Sequence, residues 1–412
     1  MTVRTALALL LALAGPARAM PGTDLGAALA AAPGLAAARH RLDAAQIRAG
    51  ARGRLADLEL EAMGSSIRDP GVGGRREAYE LTVRQSLPRP GERASDRVLG
   101  ATATRLAEAE LALAAADLAA TVSGLLADAT AARERAAVNL GLITRLESAL
   151  AGLEARLTAG GNPGLVERLG LQSRRTALRL AVAEDERAAA DAEAEARARL
   201  GLAPDAPLPA FAAPDPASIL PAETAPAALA RARAEDAEAA ARFARVSTAP
   251  ATAVGLRMER ERMGSGFLHA VGLVLSTDLP TRRSAAARAE ARAATAERQA
   301  AQSDEDASRR LARADLEHVA RAAAFAEKAR RLAAEITGRL EAEHEAVNRA
   351  FAAARPGQDS AVLHALDILD RTTGARLQVI AAETALRVRQ AALWRHAPPA
   401  QLLAALTRGP TP

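Results

Sequence analysis

The sequence contains no cysteine, a single lysine and very few aromatic residues. Phenylalanine, tryptophan and tyrosine make up 2% of the 412 residues, and the lysine is Lys328. The absence of cysteine excludes a disulfide framework, a thiolate metal site and a lipid anchor on an N-terminal cysteine. Aromatic side chains that could stack on bases are scarce, and arginines alternate with acidic residues. The net charge of +5 therefore does not indicate nucleic-acid binding.

Alanine is what the sequence has in abundance. Hydrophobic residues make up 50% of the chain, most of them alanine, and 25% of the residues are charged. Alanine has the highest helix propensity and lets neighbouring helices approach closely, but it supplies little bulk for a large core. This composition favours long helices packed along narrow seams, with ion pairs on the solvated faces.

The residues offer no catalytic or metal-binding pattern. The stretch from His344 to Asn348 begins like the zinc-binding H-E-x-x-H motif, but Asn348 stands where the second histidine belongs. The six histidines are scattered along the chain. We therefore predict no enzymatic activity, no cofactor and no metal site.

The N-terminus has the features of an export signal. Arg4 precedes a short apolar segment at residues 6–15, and Ala17-Arg18-Ala19 fits a small-x-small cleavage site. Residues 1–19 are therefore predicted to be a signal peptide. No later stretch is expected to approach the ~20 apolar residues of a transmembrane helix, so any membrane span should consist of strands.

The rest of the sequence indicates one unit repeated twice. Leu-Pro pairs at 87–88 and 279–280 are 192 residues apart, and Ala-Pro pairs at 32–33 and 225–226 are 193 apart. Each unit is predicted to contain a helix, a β-hairpin, a long proline-free helix and a return helix. The predicted boundaries are a first repeat 20–202 (hairpin 55–88, long helix 91–157, return helix 164–201), a Pro-rich linker 203–227, a second repeat 228–397 (hairpin 252–280, long helix 281–354, return helix 359–396) and a C-terminal tail 398–412. The linker holds seven prolines and is expected to be extended rather than packed.

The hairpins are predicted from a two-residue alternation of apolar and polar residues. Each apolar stretch spans about five residues, or ~17 Å, which is shorter than the ~25 Å apolar band of an outer-membrane barrel. The candidates for lipid-facing residues are Leu58, Leu60, Tyr79, Leu81, Val83, Val254, Leu256, Met258, Val271, Leu273 and Leu275.

The long helices are predicted to pack sideways against other long helices, because their larger apolar residues recur every three, four or seven positions. The predicted seam residues are Ile143, Leu146, Leu150, Leu153 and Leu157 in the first long helix, and Phe325, Leu332, Ile336, Leu340, Val347 and Phe351 in the second.

This order of elements resembles the TolC family of outer-membrane efflux proteins, including the branch that serves heavy-metal and multidrug pumps. Residues 85–88 (Q-S-L-P) and 91–93 (G-E-R) are similar to the family's passage from strand to long helix. Residues 275–280 look like its counterpart in the second half, and residues 158–167 resemble the family's helical tip. The resemblance covers essentially the whole mature chain and rests on the duplicated architecture.

The resemblance implies a TolC-like fold that is mainly α with two β-hairpins and an internal duplication. Three chains would form a homotrimer whose strands build one β-barrel in outer-membrane lipid and whose antiparallel coiled-coil helices build a periplasmic α-barrel. The implied function is a passive outer-membrane channel, with most of the chain in the periplasm, fed by an inner-membrane pump through a periplasmic adaptor. If these strands enter the membrane, oligomerisation is also required physically, because two hairpins cannot close a barrel and open strand edges are not tolerated in lipid.

By the same resemblance, the two helical reversals would lie where the tunnel narrows and the adaptor docks. The candidates are Gly160, Gly161, Asn162, Pro163, Pro356, Gly357, Gln358 and Asp359. Glycine and proline also suit any tight reversal, so a purely structural role remains the alternative.

Two other functions remain open from the sequence. One is a soluble periplasmic coiled-coil scaffold or adaptor without a channel. The other is an exported enzyme on a helical scaffold, which the missing catalytic pattern disfavours. The sequence does not distinguish metal ions, drugs and polypeptides as the substrate.

Overall fold

The computed structural model describes residues 24–69, 74–158, 165–263, 266–278, 283–353 and 360–407. The predicted signal peptide lies outside these residues. The elements in chain order are α1 (Leu25–Ala31), a 3₁₀ turn (Pro33–Leu35), α2 (Ala36–Ala51), β1 (Leu58–Asp69), β2 (Gly74–Leu87), α3 (Glu92–Thr158), α4 (Leu165–Leu200), a 3₁₀ turn (Pro216–Ser218), α5 (Ala225–Val246), β3 (Ala251–Met263), β4 (Gly266–Asp278), α6 (Arg283–Ala353), α7 (Ser360–Ala392), a 3₁₀ turn (Leu393–His396) and α8 (Pro399–Thr407). The prediction of a mainly helical chain with two β-hairpins is confirmed.

The chain forms two compact units, and each unit takes segments from both halves of the sequence. We call Met1–Ala36, Ala112–Ala225 and Ser308–Pro412 the helical unit, and Ala37–Leu111 and Pro226–Ala307 the strand unit. The predicted repeats divide the chain by its internal duplication and not by spatial contacts, so the two units do not test their boundaries. The repeat boundaries stay a prediction.

In the helical unit, the buried face of α3 consists mainly of alanine. Ala112, Ala116, Ala119 and Val122 are completely buried. By length and composition, α3 contains a segment apolar enough to cross a membrane, although 56% of that segment is buried inside the protein. The expectation that no later stretch would be so apolar is therefore wrong. The expectation fails because a helix lined with buried alanine and leucine has the same composition as a membrane-spanning helix.

The core of the helical unit joins the start of the chain to both helices of the first repeat. Leu25 and Leu29 of α1 pack against Leu126 of α3 and Leu200 of α4. Gly201 ends α4 with a φ of +68°, and a Cβ there would lie 2.5 Å from the Cδ of a proline in the first 3₁₀ turn. Glycine is required at this position both for its backbone conformation and for the close approach of that turn.

The Pro-rich linker is packed, contrary to the sequence expectation. Ile219 is buried in a cluster with Val319 and Leu393. Trp394 donates a hydrogen bond from Nε1 to the carbonyl oxygen of Ala212 at 3.0 Å. Proline prevents regular secondary structure here, but it does not prevent the segment from burying its apolar residues between helices.

The predicted C-terminal tail also contains a packed element. Helix α8 buries Leu402 in a cluster with Ala116, Ala225 and Ala397. The short run of apolar residues between Pro398 and Thr407 gave too weak a periodicity to be recognised as a helix from the sequence.

The predicted seam of the first long helix is confirmed where its side chains are described. Ile143, Leu146 and Leu150 are buried, and Leu146 and Leu150 share a cluster with Leu171 of α4. The side chains of Leu153 and Leu157 lie outside the described part.

The predicted seam of the second long helix is buried within one chain only in part. Leu340 is buried, but Phe325, Leu332 and Ile336 are exposed, Phe325 to 63%. The line that is buried instead consists of Ala312, Val319, Ala326 and Leu340. Alanine can occupy a close helix contact that the larger Phe325 cannot enter, so the largest apolar residues of α6 lie beside the seam rather than in it. The side chains of Val347 and Phe351 lie outside the described residues.

In the strand unit, the end of α2 is tied to the start of α3. Asp96 accepts hydrogen bonds from the backbone N–H of Gly53 at 2.6 Å and from Arg52 Nη1 at 2.8 Å. Arg93 Nε donates to the carbonyl oxygen of Gly53 at 2.9 Å. Gly53 has a φ of +70°, which is a conformation favoured by glycine. These bonds fix the turn from which β1 departs.

Candidate functional site

The four strands form one antiparallel sheet in the order β1-β2-β3-β4. Each strand is 12 to 14 residues long, more than the five-residue apolar alternation by which it was predicted. Leu60 pairs with Val83, Val83 with Leu256, and Leu256 with Leu273. Side chains directly opposite one another point to the same side of a sheet. The register therefore determines which residues share a face.

The register places all eleven predicted lipid-facing residues on one face of this sheet, which we call the apolar face. On this face the rows of Leu60 and of Ala62 are fully apolar, and the neighbouring row of Leu58 contains Gln85 beside three apolar residues; the three rows span ~14 Å at two residues per row. Its residues are largely exposed in the monomer, with Leu273 at 84% and Leu275 at 71%. A contiguous apolar surface of this kind is uncommon on soluble monomers. That it meets lipid remains a prediction.

The opposite face of the same sheet carries charged residues on β1, β2 and β3, whereas β4 places Leu268, Ala270, Gly272 and Val274 there; we call it the polar face. Arg84 Nη2 donates to Glu61 Oε2 at 2.6 Å, which joins β2 to β1. Arg257 Nη2 donates to Glu80 Oε2 at 2.8 Å and to Glu259 Oε1 at 2.5 Å, which joins β3 to β2. Exposed pairs such as these add little stability, about 0–1 kcal/mol each. Their consequence is that β1, β2 and β3 present charged side chains on one face of the sheet and mainly apolar side chains on the other.

A glycine makes room for this network. Gly255 pairs with Arg84, and a Cβ at Gly255 would lie 2.5 Å from the carbonyl oxygen of Val83 and 2.8 Å from Arg84 Cγ. The aliphatic stem of Arg84 thus occupies the space above Gly255. A larger residue at Gly255 would displace the arginine that bonds β1.

On the apolar face, the row of Ala62 and Val271 is followed by a border of aromatic and cationic side chains. Tyr79, Arg260 and His269 form the next row, and Arg262 and Phe267 belong to the row after it. The guanidinium carbon of Arg260 lies 4.1 Å from the centroid of the Phe267 ring. Such side chains, with an apolar body and a polar tip, are typical of the boundary between lipid and water.

Sequence reasoning identified Tyr79 but missed the contribution of the cationic residues to this border. The signal was present, because Arg260 and Arg262 continue the two-residue alternation of Val254, Leu256 and Met258. The strand was predicted from the apolar part of the alternation, which ends at Met258.

The junction predicted from the Q-S-L-P and G-E-R passages has a defined structure. Gly91 has a φ of +80°, and Glu92 begins α3. Arg89 donates from its backbone N–H to Glu92 Oε2 at 2.7 Å and from Nη1 to Glu92 Oε1 at 3.0 Å. Its Nε donates to the carbonyl oxygen of Ala249 at 2.8 Å, just before β3. Arg89 thus ties the junction between β2 and α3 to the junction between α5 and β3, a role that the sequence pattern alone did not reveal.

The sheet has two open edges. Since its order is β1-β2-β3-β4, β1 and β4 each pair with only one strand among the described residues. An open edge leaves backbone N–H and C=O groups for another chain to pair with. The arrangement is therefore suited to edge-to-edge joining with other copies.

The other sequence-predicted site residues cannot be placed. The eight tip candidates, Gly160 to Pro163 and Pro356 to Asp359, lie outside the described residues. Within the residues that the structure describes, no three His, Asp or Glu side chains are grouped so that they could hold a metal ion.

Comparison with known protein families and with curated proteins gives no match. Solved structures do match over most of their length. The outer-membrane channel OprN has a TM-score of 0.67 and 20% identity, covering 90% of this chain and 88% of that chain. The outer membrane protein VceC of Vibrio cholerae has a TM-score of 0.64 and 15% identity, with coverage of 88% and 94%.

A third match is the open state of the MtrE outer membrane channel of Neisseria gonorrhoeae, with a TM-score of 0.66 and 17% identity over 93% of this chain and 89% of that chain. The chain therefore has the TolC-like fold of outer-membrane channels. At these identities the similarity establishes the fold.

Proposed function

We propose that the chain is one subunit of a trimeric outer-membrane channel that serves as the passive exit duct of a tripartite efflux system. The observation that carries this proposal is the four-stranded sheet, with its apolar face, its polar face and its two open edges. The fold shared with outer-membrane channels supports it. The proposal includes export by the signal peptide at residues 1–19.

The two faces match the two environments of a barrel wall. In a transmembrane barrel, side chains alternate between an apolar outer surface and a polar lumen. The apolar face supplies Leu273 and its neighbours to lipid, and the polar face supplies Arg84, Arg257 and their glutamate partners to water. The border formed by Tyr79, Arg260 and His269 would lie at the level of the headgroups.

The open edges imply that several copies share one barrel. Single-chain outer-membrane barrels have at least about eight strands, and four strands cannot close on themselves. Unpaired edges cost several kcal/mol per exposed backbone group in lipid, so β1 of one copy must pair with β4 of the next. Three copies agree with the assembly that the TolC resemblance implies.

In this proposal the chain carries out no catalysis. An inner-membrane pump supplies the energy and selects the substrate, and a periplasmic adaptor connects the pump to the long helices. We place the adaptor contact at the two tips, residues 160–163 and 356–359. We also propose, from the overall resemblance of the sequence to the TolC family, that the chain belongs to the branch that serves heavy-metal and multidrug pumps.

Membrane fractionation tests the proposal against a soluble periplasmic scaffold. The mature protein is expected to sediment with outer membranes, to require detergent for extraction and to run as a trimer by mass photometry in mild detergent. Recovery by osmotic shock without detergent would overturn the channel and favour the scaffold.

A further inference from the structure

The apolar face carries exposed arginines toward one end of the sheet only. Arg260 and Arg262 lie toward the end where β1 leads into β2 and β3 leads into β4, which we call the hairpin end. Both side chains are exposed. At the opposite end, where the strands join the helices, the rows of this face consist of uncharged residues: Leu58, Gln85, Val254 and Leu275, then Leu87, Thr252 and Thr277. The two ends of the apolar face therefore differ in charge.

The arginines of the two faces also differ in their partners. On the polar face, Arg84 and Arg257 each contact a glutamate of the preceding strand, at 2.6 Å and 2.8 Å. Among the described residues, Arg260 and Arg262 contact no acidic side chain. Their guanidinium carbons lie instead 4.1 Å and 5.9 Å from the centroid of the Phe267 ring. These two arginines therefore keep their hydrogen-bond donors for an anion from outside the chain.

A depression on the apolar face leads to Arg260. Its volume is about 490 Å³, and it is lined mainly by residues of this face. Leu81, Met258 and Val271 line its apolar end, and Tyr79, Arg260 and His269 line its polar end. Sites for small molecules combine apolar walls with a few polar groups that fix the orientation of the ligand. An apolar depression that ends at a cation suits a lipid, whose acyl chain adjoins an anionic headgroup.

Glu77 makes the two arginines unequal as anion-binding groups. It is the residue directly opposite Arg262 in the register, whereas the residue opposite Arg260 is Tyr79. Opposite charges that face each other across two strands attract. The carboxylate of Glu77 therefore offsets part of the attraction of Arg262 for an anion, and Arg260 is expected to contribute more.

We propose that Arg260, assisted by Arg262, binds a phosphate group of the phosphorylated glycolipid that forms the outer leaflet of the outer membrane, with an acyl chain of that lipid in the depression. This inference rests on the proposed channel. If the strand–helix junctions face the periplasm, the hairpin end faces the outside of the cell and meets the outer leaflet. The inner leaflet, made of phospholipid, then meets the end of the apolar face that carries no cation.

The chemistry of the headgroup favours the glycolipid over a phospholipid. A phosphate monoester, the group that the glycolipid carries, has a charge between −1.5 and −2 at about pH 7. The phosphodiester of a phospholipid has a single negative charge. Guanidinium groups bind phosphate oxygens through paired, charge-assisted hydrogen bonds, which are about twice as strong as neutral ones. Three copies in one barrel would place three such sites at the same height in the outer leaflet.

Lipid titration of the detergent-extracted trimer tests this proposal. Native mass spectrometry counts the lipids bound when lipid A, lipid A stripped of its phosphates, or phosphatidylglycerol is added. We expect lipid A to bind most tightly, with up to three molecules per trimer. Arg260→Gln should weaken its binding at least about tenfold, because hydrogen bonds to a charged group are lost. Arg262→Gln should weaken it less, and Glu77→Gln should strengthen it.

Arg257→Gln is the matched control, because it removes the same charge from the same strand on the polar face. It should leave the affinity for lipid A unchanged. Equal weakening by Arg257→Gln, no weakening by Arg260→Gln, or equally tight binding of phosphatidylglycerol or of stripped lipid A would overturn the site. Displacement of lipid A by millimolar inorganic phosphate would indicate a site for a free anion and would also overturn it. Each of these results leaves the channel proposal intact if the protein is a trimer by mass photometry and sediments with outer membranes. Recovery by osmotic shock without detergent would overturn both.

Discussion

The opposition of the two sheet faces predicts opposite outcomes for one substitution at two sites on the same strand. Leu273→Arg introduces a cation in the middle row of the apolar face. Ala270→Arg introduces the same cation three residues earlier on the polar face, directly opposite Glu259. Both positions are exposed in the monomer, so neither substitution disturbs a packed core. The two variants differ only in the environment that the assembled channel gives them.

The expected magnitudes are far apart. An arginine near the midplane of the bilayer costs about 2–4 kcal/mol on the lipid face of a barrel. If three copies share one barrel, distant sites add, and the total is roughly 6–12 kcal/mol per trimer. An arginine facing Glu259 across the strands gains about 0.2–1 kcal/mol instead. Leu273→Arg should therefore block assembly, while Ala270→Arg should be neutral or slightly stabilising.

The assay is the amount of heat-resistant trimer recovered from outer membranes, with total protein measured in parallel. We expect Leu273→Arg to leave little trimer and Ala270→Arg to match the unmodified protein. Equal recovery of both variants, or loss of Ala270→Arg alone, would refute the assignment of the faces.

Two further predictions concern the helices. Gly161→Val or Gly357→Val should leave the trimer intact, because each costs only about 1–2 kcal/mol if its position is left-handed; export in cells and cross-linking to the adaptor should be lost. Full export in both variants would return these turns to a purely structural role. Burial raises the pKa of Asp370 despite its ion pair with Arg174. The protonated carboxyl therefore stabilises the folded state. This contribution is fully present below the unfolded-state pKa of about 3.9 and is lost as the pH rises through the pKa of Asp370 in the folded state. Asp370→Asn should remove that loss. The midpoint of thermal unfolding is therefore compared between Asp370→Asn and the unmodified protein, and the variant should gain on the unmodified protein between pH 3 and pH 7. An unchanged or reversed difference between the two proteins would contradict this.

The order of elements could be predicted from the sequence because it depends on local signals. Proline at Leu87-Pro88, glycine at Gly91 and the change of hydrophobic period from two to three or four mark where strands end and helices begin. These signals act within a few residues, so they appear in the sequence whatever the tertiary packing is. The apolar face followed from the same rule, since the side-chain period of a strand is two.

Other features depend on partners that are distant in the sequence, and the sequence could not supply them. Which stripe of α6 is buried depends on how closely α7 approaches, and alanine allows a closer approach than Phe325 does. The linker packs because Trp394, 182 residues further on, reaches the carbonyl oxygen of Ala212. The role of Arg89 depends on Ala249, 160 residues away. The periodicity of a single segment contains none of this information.

The central claim is that the two faces of one sheet meet lipid and water, and site-specific labelling tests it most directly. Leu273→Cys and Gly272→Cys place a unique thiol on neighbouring residues of β4, one on each face, and Gly272 has open space for a side chain. Each variant is labelled with an environment-sensitive fluorophore and reconstituted in liposomes. We expect the label at Leu273 to be quenched by nitroxide lipids and protected from aqueous iodide, and the label at Gly272 to be quenched by iodide and not by nitroxide lipids. Equal access of iodide to both labels would contradict it.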